Sequence, residues 1–348
     1  MVAASVSTTR DAGPERGTAS SPDAVLVACI EAGPLEPMTV RMVESLRRHG
    51  GRLAGLDLRV VTARTGPPLR PETLRRLRTL GAEVVRARGR HRYVWHHLLH
   101  KFHAMLSVEN SHRAETVIWL DSDLLFLEEP AELLLGDNED FTAMPSMGII
   151  GSKGPDDPND AFWGNATRSL GVELESLPWV ITAEDGDRIR FYLNGGLFSY
   201  RRSTGLAGKV LADCEAMLDA RVPRKHIEAH LLEQATVGLS VHRHGLRWRA
   251  LSPRTNFNVT CRQPELIRPE VFRGVTVLHY HDSMEPHTWE RLMGALAVSH
   301  PHVHAWLKDE GPVVDPTPGA WRGVREGLRV WRGVQRRLYY RACGFRKD

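Results

Sequence analysis

An apolar run stops on two carboxylates: Val117-Ile118-Trp119-Leu120, then Asp121-Ser122-Asp123, then Leu124-Leu125-Phe126. Charge at the end of a buried strand is costly unless a cation or water meets it. The two-residue period of a strand sends Asp121 and Asp123 to one side, with small Ser122 between them. Two hard oxygen donors on one side suit Mn²⁺ or Mg²⁺, which in turn holds a diphosphate. The same tripeptide can simply end a strand and open a turn, since Asp favours turns. Here the runs on both sides are apolar and close only at Glu128-Glu129-Pro130, which favours placement of the pair over turn chemistry.

Such a pair needs a sheet behind it. Residues 24–30 (AVLVACI), 56–62 and 82–86 read as strands. Residues 39–49, 71–80 and 95–108 read as helices, the second opened by Pro71 and closed by Gly81. Alternating strand and helix implies a mainly parallel sheet with helices on its faces. Ligands of such sheets sit beyond the carboxyl ends of the strands, where Asp121 and Asp123 lie. Further on, 141–145 reads as a strand and 151–164 as a surface loop. Residues 191–200 (FYLNGGLFSY) read as a strand interrupted by Asn194-Gly195-Gly196. Glycine inside a strand marks a bulge or a close approach to the backbone. Residues 206–221 and 227–237 are expected helices. A last strand, 275–280, runs into His279-Tyr280-His281-Asp282.

A chain of 348 residues can bury a large core, and 42% hydrophobic with 25% charged residues is ordinary globular composition. No apolar run reaches about 18 residues, so no membrane span is expected. Residues 1–23 lack an apolar signal core and read as a disordered leader. Cys29, Cys214, Cys261 and Cys343 lack metal-type spacing and read as reduced thiols of a cytoplasmic protein, so the sequons at Asn165 and Asn258 carry no weight. Of the net charge of +4, +7 arises from Trp321 onward and the body carries −3, which argues against nucleic-acid binding. That tail, within 311–348, repeats Trp321, Val324, Leu328, Trp331, Val334 and Leu338 at steps of three and four, among Arg322, Arg325, Arg329, Arg332 and Arg336. It reads as a basic amphipathic helix that lies on an anionic membrane at the inner face, or packs on its own domain or a partner. On a membrane, the acceptor would be lipid-linked or a cell-surface precursor. His96, His97, His100 and His103 are expected on one helix, as packing residues more than as a zinc site, with Lys101 beside them as a phosphate contact.

Four motifs then fall in order: Asp121-Ser122-Asp123, Leu193-Asn194-Gly195-Gly196-Leu197, Glu233-Gln234, and HYHDSMEPHTW at 279–289. In this order the chain resembles nucleotide-sugar-dependent glycosyltransferases of the GT-A fold, in the glycogenin and bacterial galactosyltransferase group (family 8-like), over about residues 24–289. The resemblance implies a GT-A-type, Rossmann-like α/β domain over 24–310. It implies metal-dependent transfer of a hexose from a nucleotide-diphosphate sugar, UDP-sugar favoured, with retention. The acceptor stays open among glycan, lipid-linked and small molecules. Asp121 and Asp123 would hold the metal, Asp121 also near the ribose, and His279 would complete the site. Asn194 and Gly195 would line the sugar pocket. Gln234 would sit near the anomeric carbon with Glu233 beside it. Mixed carboxylate and imidazole donors lean to Mn²⁺ over Mg²⁺.

The sequence also departs from the group. The diphosphate-gripping lysine is missing from Glu285-Pro286-His287-Thr288-Trp289, which leaves His287, Lys101 or an arginine for that task. Asp282 stands where the group often has Gly, and Glu233 replaces an Asp. His281 competes with His279 as ligand. An inverting reaction would need a base, with Glu233 and Asp282 as candidates. Two rival enzyme classes use similar carboxylates. A nucleotidyltransferase would show a Gly-rich, basic loop after the first strand, where this chain has Glu31-Ala32-Gly33-Pro34. A haloacid-dehalogenase-type phosphatase would carry its Asp-x-Asp on the first strand with Thr or Val at the position of Leu125.

Overall fold

The computed structural model describes residues 22–87, 91–146, 149–182 and 186–345. The expected leader, 1–23, lies outside them except for its last two residues. Strands β1 (Ala24–Cys29), β2 (Asp57–Thr62), β3 (Ala82–Arg86) and β4 (Thr116–Leu120) run parallel in the order β3-β2-β1-β4. After β5 (Leu124–Phe126), β6 (Phe141–Pro145) and a hairpin of β7 (Trp179–Ile181) and β8 (Arg188–Arg190) comes β9 (Leu193–Arg201), antiparallel to both β4 and β6. With β10 (Trp248–Ala250) the main sheet reads β10-β6-β9-β4-β1-β2-β3. A small sheet joins β11 (Phe257–Asn258), β12 (Val277–His279) and β5. The mainly parallel α/β sheet expected from the alternation is therefore present, with β9 as its reversed strand.

Alternation along the central strands feeds two cores at once. Val25, Val27, Val117 and Trp119 face one, and Leu26, Ala28, Ile118 and Leu120 face the other. Strands covered on both sides must be apolar throughout, which is why β1 and β4 read as unbroken runs. The first core also takes in residues of α3 (His100–Glu109), α4 (Asp160–Ser169), α5 (Leu206–Asp219) and α7 (Leu232–Arg243). The second is covered by α1 (Leu35–His49) and α2 (Pro71–Thr79). A third core packs β5 and β12 under α8 (Pro269–Phe272), α9 (Trp289–Ser299) and α10 (Pro301–Leu307).

Several expected boundaries move. Helix α1 begins at Leu35, four residues early, because Pro34 already has helical dihedrals. The 95–108 helix starts only at His100, since His96 is extended and 97–99 form a tight 3₁₀ turn. His96 and His97 are therefore not on one helix with His100 and His103. The loop expected at 151–164 gives way to α4 at Asp160. The 227–237 helix breaks at Leu231 into α6 (His226–His230) and α7. Strand β9 is continuous, and its glycines appear as a register shift against β6 between Ala143 and Pro145. The tail forms α11 (Gly319–Ala342), with no residue buried. Among the described residues, no helix is long and apolar enough to cross a membrane.

Candidate active site

Asp121-Ser122-Asp123 is the joint between the two sheets. The Asp121 N–H still pairs with the Gly196 carbonyl of β9 (2.8 Å), and the Tyr280 N–H pairs with the Asp123 carbonyl (3.0 Å). Ser122 pins the joint: its hydroxyl donates to the Cys29 carbonyl (2.8 Å) and accepts from Thr39 (3.0 Å). The two carboxylates then serve different neighbours. Asp123 lies against His279 (Oδ1 to Nε2, 3.2 Å) and His281 (Oδ2 to Nδ1, 3.4 Å). Asp121 accepts the Trp119 indole N–H (2.7 Å) and faces the Lys101 ammonium at 3.7 Å.

The donor set of Asp123, His279 and His281 fits a divalent cation. Their ligand atoms lie within 4.8 Å of one another, the one such group among the described residues. The second nitrogen of each ring faces an amide oxygen: His279 Nδ1 meets Asn256 Oδ1 (3.2 Å), and His281 Nε2 meets Asn258 Oδ1 (3.3 Å). An N–H spent there would leave the other nitrogen of each ring free for a cation beside Asp123, the way metal-ligating histidines are usually held; without one, Asp123 outweighs burial and holds the His279 imidazole above its usual range. The amides are themselves tied together. Asn256 donates to Asn194 (3.0 Å), Asn194 accepts the Gly196 N–H (2.8 Å), and Asn194 donates to Asn258 (3.5 Å). The rings stack at 4.0 Å, and His281 adopts φ = +46° to do so, a conformation that costs a non-glycine residue roughly 1–3 kcal/mol and clusters at functional sites. A borderline nitrogen pair with one carboxylate suits Mn²⁺ better than Mg²⁺.

Glycine makes room for this packing. A Cβ at Gly196 would run into the His279 ring, and one at Gly195 would meet the Gln234 side chain at 3.4 Å and the Lys101 ammonium at 3.5 Å. Gln234 is half-buried against this strand, and Glu233 points inward.

The charges interlock. Lys101, on α3, donates to the Gly195 carbonyl (2.9 Å) and pairs with Glu233 Oε1 (2.9 Å) and Asp121. Burial would lower its pKa, but Asp121 and Glu233 outweigh that and hold it above the usual lysine range. Burial pushes the Glu233 carboxyl up to about 7, with Lys101 pulling against it. Burial likewise raises Asp121, which Lys101 opposes. At Asp123 burial works against the charge, yet His279 and His281 hold the carboxyl well below its usual range.

The structure thus brings together Asp121, Asp123, Asn194, Gly195, Lys101, Glu233 and His279, and adds His281 to them. The three expected cations and bases at the periphery fare differently. Lys101 is buried, with its ammonium on the Gly195 carbonyl and Glu233 at 2.9 Å and Asp121 at 3.7 Å. His287 is 59% exposed and meets Glu285 (3.8 Å). Asp282 accepts the N–H and thiol of Cys261 (2.7 and 2.8 Å), which spends it on a turn. Burial lowers His96 and His97 to about 3 and His100 and His103 to about 4, so these are neutral packing rings. Sequence reasoning missed Asn256 and Asn258. Their only signal was the Asn-Phe-Asn alternation in a stretch with no assigned strand.

If these amides orient the imidazoles, Asn256→Ala lowers Mn²⁺ affinity about 10–100-fold with the fold retained, the usual cost of losing such a support. Calorimetric titration checks this, and an unchanged affinity rules the role out.

Comparison with known proteins bears on the class. No curated protein matches the chain as a relative. Among solved structures, the galactosyltransferase LgtC in complex with donor and acceptor sugar analogs is 14% identical, with a TM-score of 0.47 over 86% of this chain and 99% of that one. The apo form of mouse xyloside xylosyltransferase 1 is 14% identical, with a TM-score of 0.44 over 74% of this chain and 96% of that one. Residues 26–245, from β1 through α7, match the Rhodobacterales glycosyltransferase domain family. That span includes Asp121, Asp123, Asn194, Glu233 and Gln234 and sets the nucleotidyltransferase and phosphatase readings aside: the chain belongs to the Rhodobacterales glycosyltransferase domain family and is a glycosyltransferase.

Proposed function

We propose that this glycosyltransferase moves a hexose from a nucleotide-diphosphate sugar, UDP-sugar favoured, to its acceptor in a Mn²⁺-dependent reaction that retains the donor's anomeric configuration. The observation that carries the proposal is the convergence of Asp123, His279 and His281 within 4.8 Å beside the carboxylate of Asp121. Asp123, His279 and His281 would hold the cation, with Asp121 at its edge and toward the ribose. When bound there, a divalent cation neutralises the charge that develops on a departing diphosphate. Asn256 and Asn258 keep both imidazoles turned to Asp123. Lys101 balances Asp121 and Glu233 so that the pocket tolerates three carboxylates.

The retaining outcome is supported by where Glu233 lies. It is 2% exposed and ion-paired to Lys101, so it cannot reach an acceptor as a fixed base, and Asp282 is held by Cys261. Retention needs no such base. Gln234 and Asn194 then offer neutral amides to the sugar, beside the backbone of Gly195. The tail adds a location. Val324, Val330, Trp331, Val334 and Leu338 are exposed on α11, which carries seven arginines against one glutamate, a combination suited to an anionic membrane at the cytoplasmic inner face. A lipid-linked acceptor fits that location.

A panel of nucleotide sugars with Mn²⁺, scored for slow hydrolysis without acceptor, tests the donor. The expected result is turnover of a UDP-hexose that EDTA abolishes, with the released sugar keeping the donor's configuration by NMR. Turnover of no nucleotide sugar, or full activity in EDTA, overturns the reading.

A further inference from the structure

We propose that the cleft between α11 and the carboxyl ends of β1 and β2 is a phosphate site, in which Arg332 and Arg336 grip phosphate of the nucleotide donor. It rests on the nucleotide-sugar reading and supplies the cation missing from residues 279–289. The cleft encloses about 320 Å³, and Glu31, Arg64, Arg325, Arg329, Arg332 and Arg336 are on its walls. It occupies the position beyond the strand ends where ligands of parallel sheets sit. Glu31 on its wall meets His100 (3.4 Å), which precedes Lys101 on α3.

The orientation of α11 is the first argument. Arg325, Arg329, Arg332 and Arg336 follow steps of four, three and four and so share one face. That face turns toward the body. Val324, Trp331, Val334 and Leu338 lie on the other side and are 42–58% exposed. A helix that served only to pack on its domain would bury its apolar stripe. Here the arginines line the cleft beside Leu328, with Arg325 and Arg332 half-buried and Arg329 and Arg336 exposed at its mouth. The β1–α1 turn accommodates them: Gly33 has φ = +118°, and any Cβ there would strike the Arg325 guanidinium.

Charge balance is the second argument. Arg64 pairs with Glu31 (2.6 Å), Arg325 with Asp315 (2.7 Å) and Arg329 with Glu326 (2.7 Å). Among the described residues, Arg332 reaches only the Thr65 carbonyl, and its buried Nε has no partner. Arg336 has neither an ion pair nor a hydrogen bond among them. Two guanidinium groups one helical turn apart, neither in an ion pair among the described residues, present donors that one anion can join. The planar fork of arginine matches phosphate oxygens in pairs. Burial and the nearby Arg64 lower the Arg332 pKa, and Glu31 across the cleft offsets this only in part.

The test is titration of the full chain with inorganic pyrophosphate in EDTA, so that no cation contributes. The wild type binds saturably and more weakly as salt rises. Arg332→Gln/Arg336→Gln binds at least tenfold more weakly, while Arg332→Lys/Arg336→Lys keeps most of the affinity and excludes misfolding as the cause. Arg337→Gln/Arg341→Gln, on the same helix but off the cleft, binds like the wild type. Equal binding by the Gln pair and the wild type overturns the proposal, and so does an equal loss in the Arg337/Arg341 pair, which would mean a diffuse field. Sedimentation with phosphatidylglycerol vesicles separates a lipid headgroup from the donor. A Gln pair that loses vesicle binding but keeps pyrophosphate overturns the proposal, and the reverse supports it. Pyrophosphate binding that depends on Arg332 and Arg336, with no nucleotide sugar turned over, supports the phosphate site and fails only the donor reading.

Discussion

Asp123→Ala lowers Mn²⁺-dependent turnover about a thousandfold or more and abolishes thermal stabilisation by Mn²⁺. Asp123 is the shared contact of His279 and His281, at 3.2 and 3.4 Å. Without it two imidazoles remain, one carboxylate short of a closed set. Cation stabilisation of a leaving group contributes several kcal/mol, and each ~1.4 kcal/mol is tenfold in rate. The thermal readout separates binding from chemistry. Mn²⁺ at about 100 times its dissociation constant adds ~2.7 kcal/mol to the wild type. In the variant that increment vanishes, while the metal-free fold persists because His279 and His281 keep their contacts to Asn256 and Asn258. A variant that still gains stability with Mn²⁺ would show that the cation sits elsewhere.

Lys101→Met destabilises the protein by roughly 3–5 kcal/mol at neutral pH, the cost of leaving buried charge without its partner. Two carboxylates lose their counter-ion, Glu233 at 2.9 Å and Asp121 at 3.7 Å. The pH dependence carries a sign. The Glu233 pKa is raised to about 7 in the folded protein, so its protonated form is favoured by folding, and stability falls as pH rises from about 4.5 through 7. Lys101 works against that rise. Its removal pushes Glu233 still higher, so the variant pays for a proton or an unpaired charge over a wider range. The deficit of Lys101→Met relative to the wild type is therefore larger at pH 8 than at pH 5.5. Denaturant melts at the two values decide it, and equal deficits would mean that the loss is packing alone.

The frame was legible because period-2 and period-3.6 patterns are local. Val25 to Ala28 and Val117 to Leu120 announce strands covered on both faces, and that is where they lie. The Asn194-Gly195-Gly196 interruption announced a close approach, and the strand does pass against His279, Gln234 and Lys101. The two-residue period of Asp121 and Asp123 was less informative, since it holds only within one strand. The chain leaves β4 at Leu120 and enters β5 at Leu124, so the pair spans a joint between sheets.

Residue types alone therefore determined that this chain would build a two-faced parallel sheet and bring acid, amide and imidazole to its carboxyl edge. Local hydrophobic period and the cost of burying charge suffice for that. Only tertiary structure decided which acid meets which partner. The pairing of β12 with β5 hands Asp123 to the two histidines, and the packing of α3 and α7 on the sheet hands Asp121 to Lys101 and Lys101 to Glu233. Those pairings join segments far apart in the chain, and no local pattern encodes a distance between them. The direction in which α11 turns its arginines was settled the same way, by the room left beside Gly33 at the end of β1.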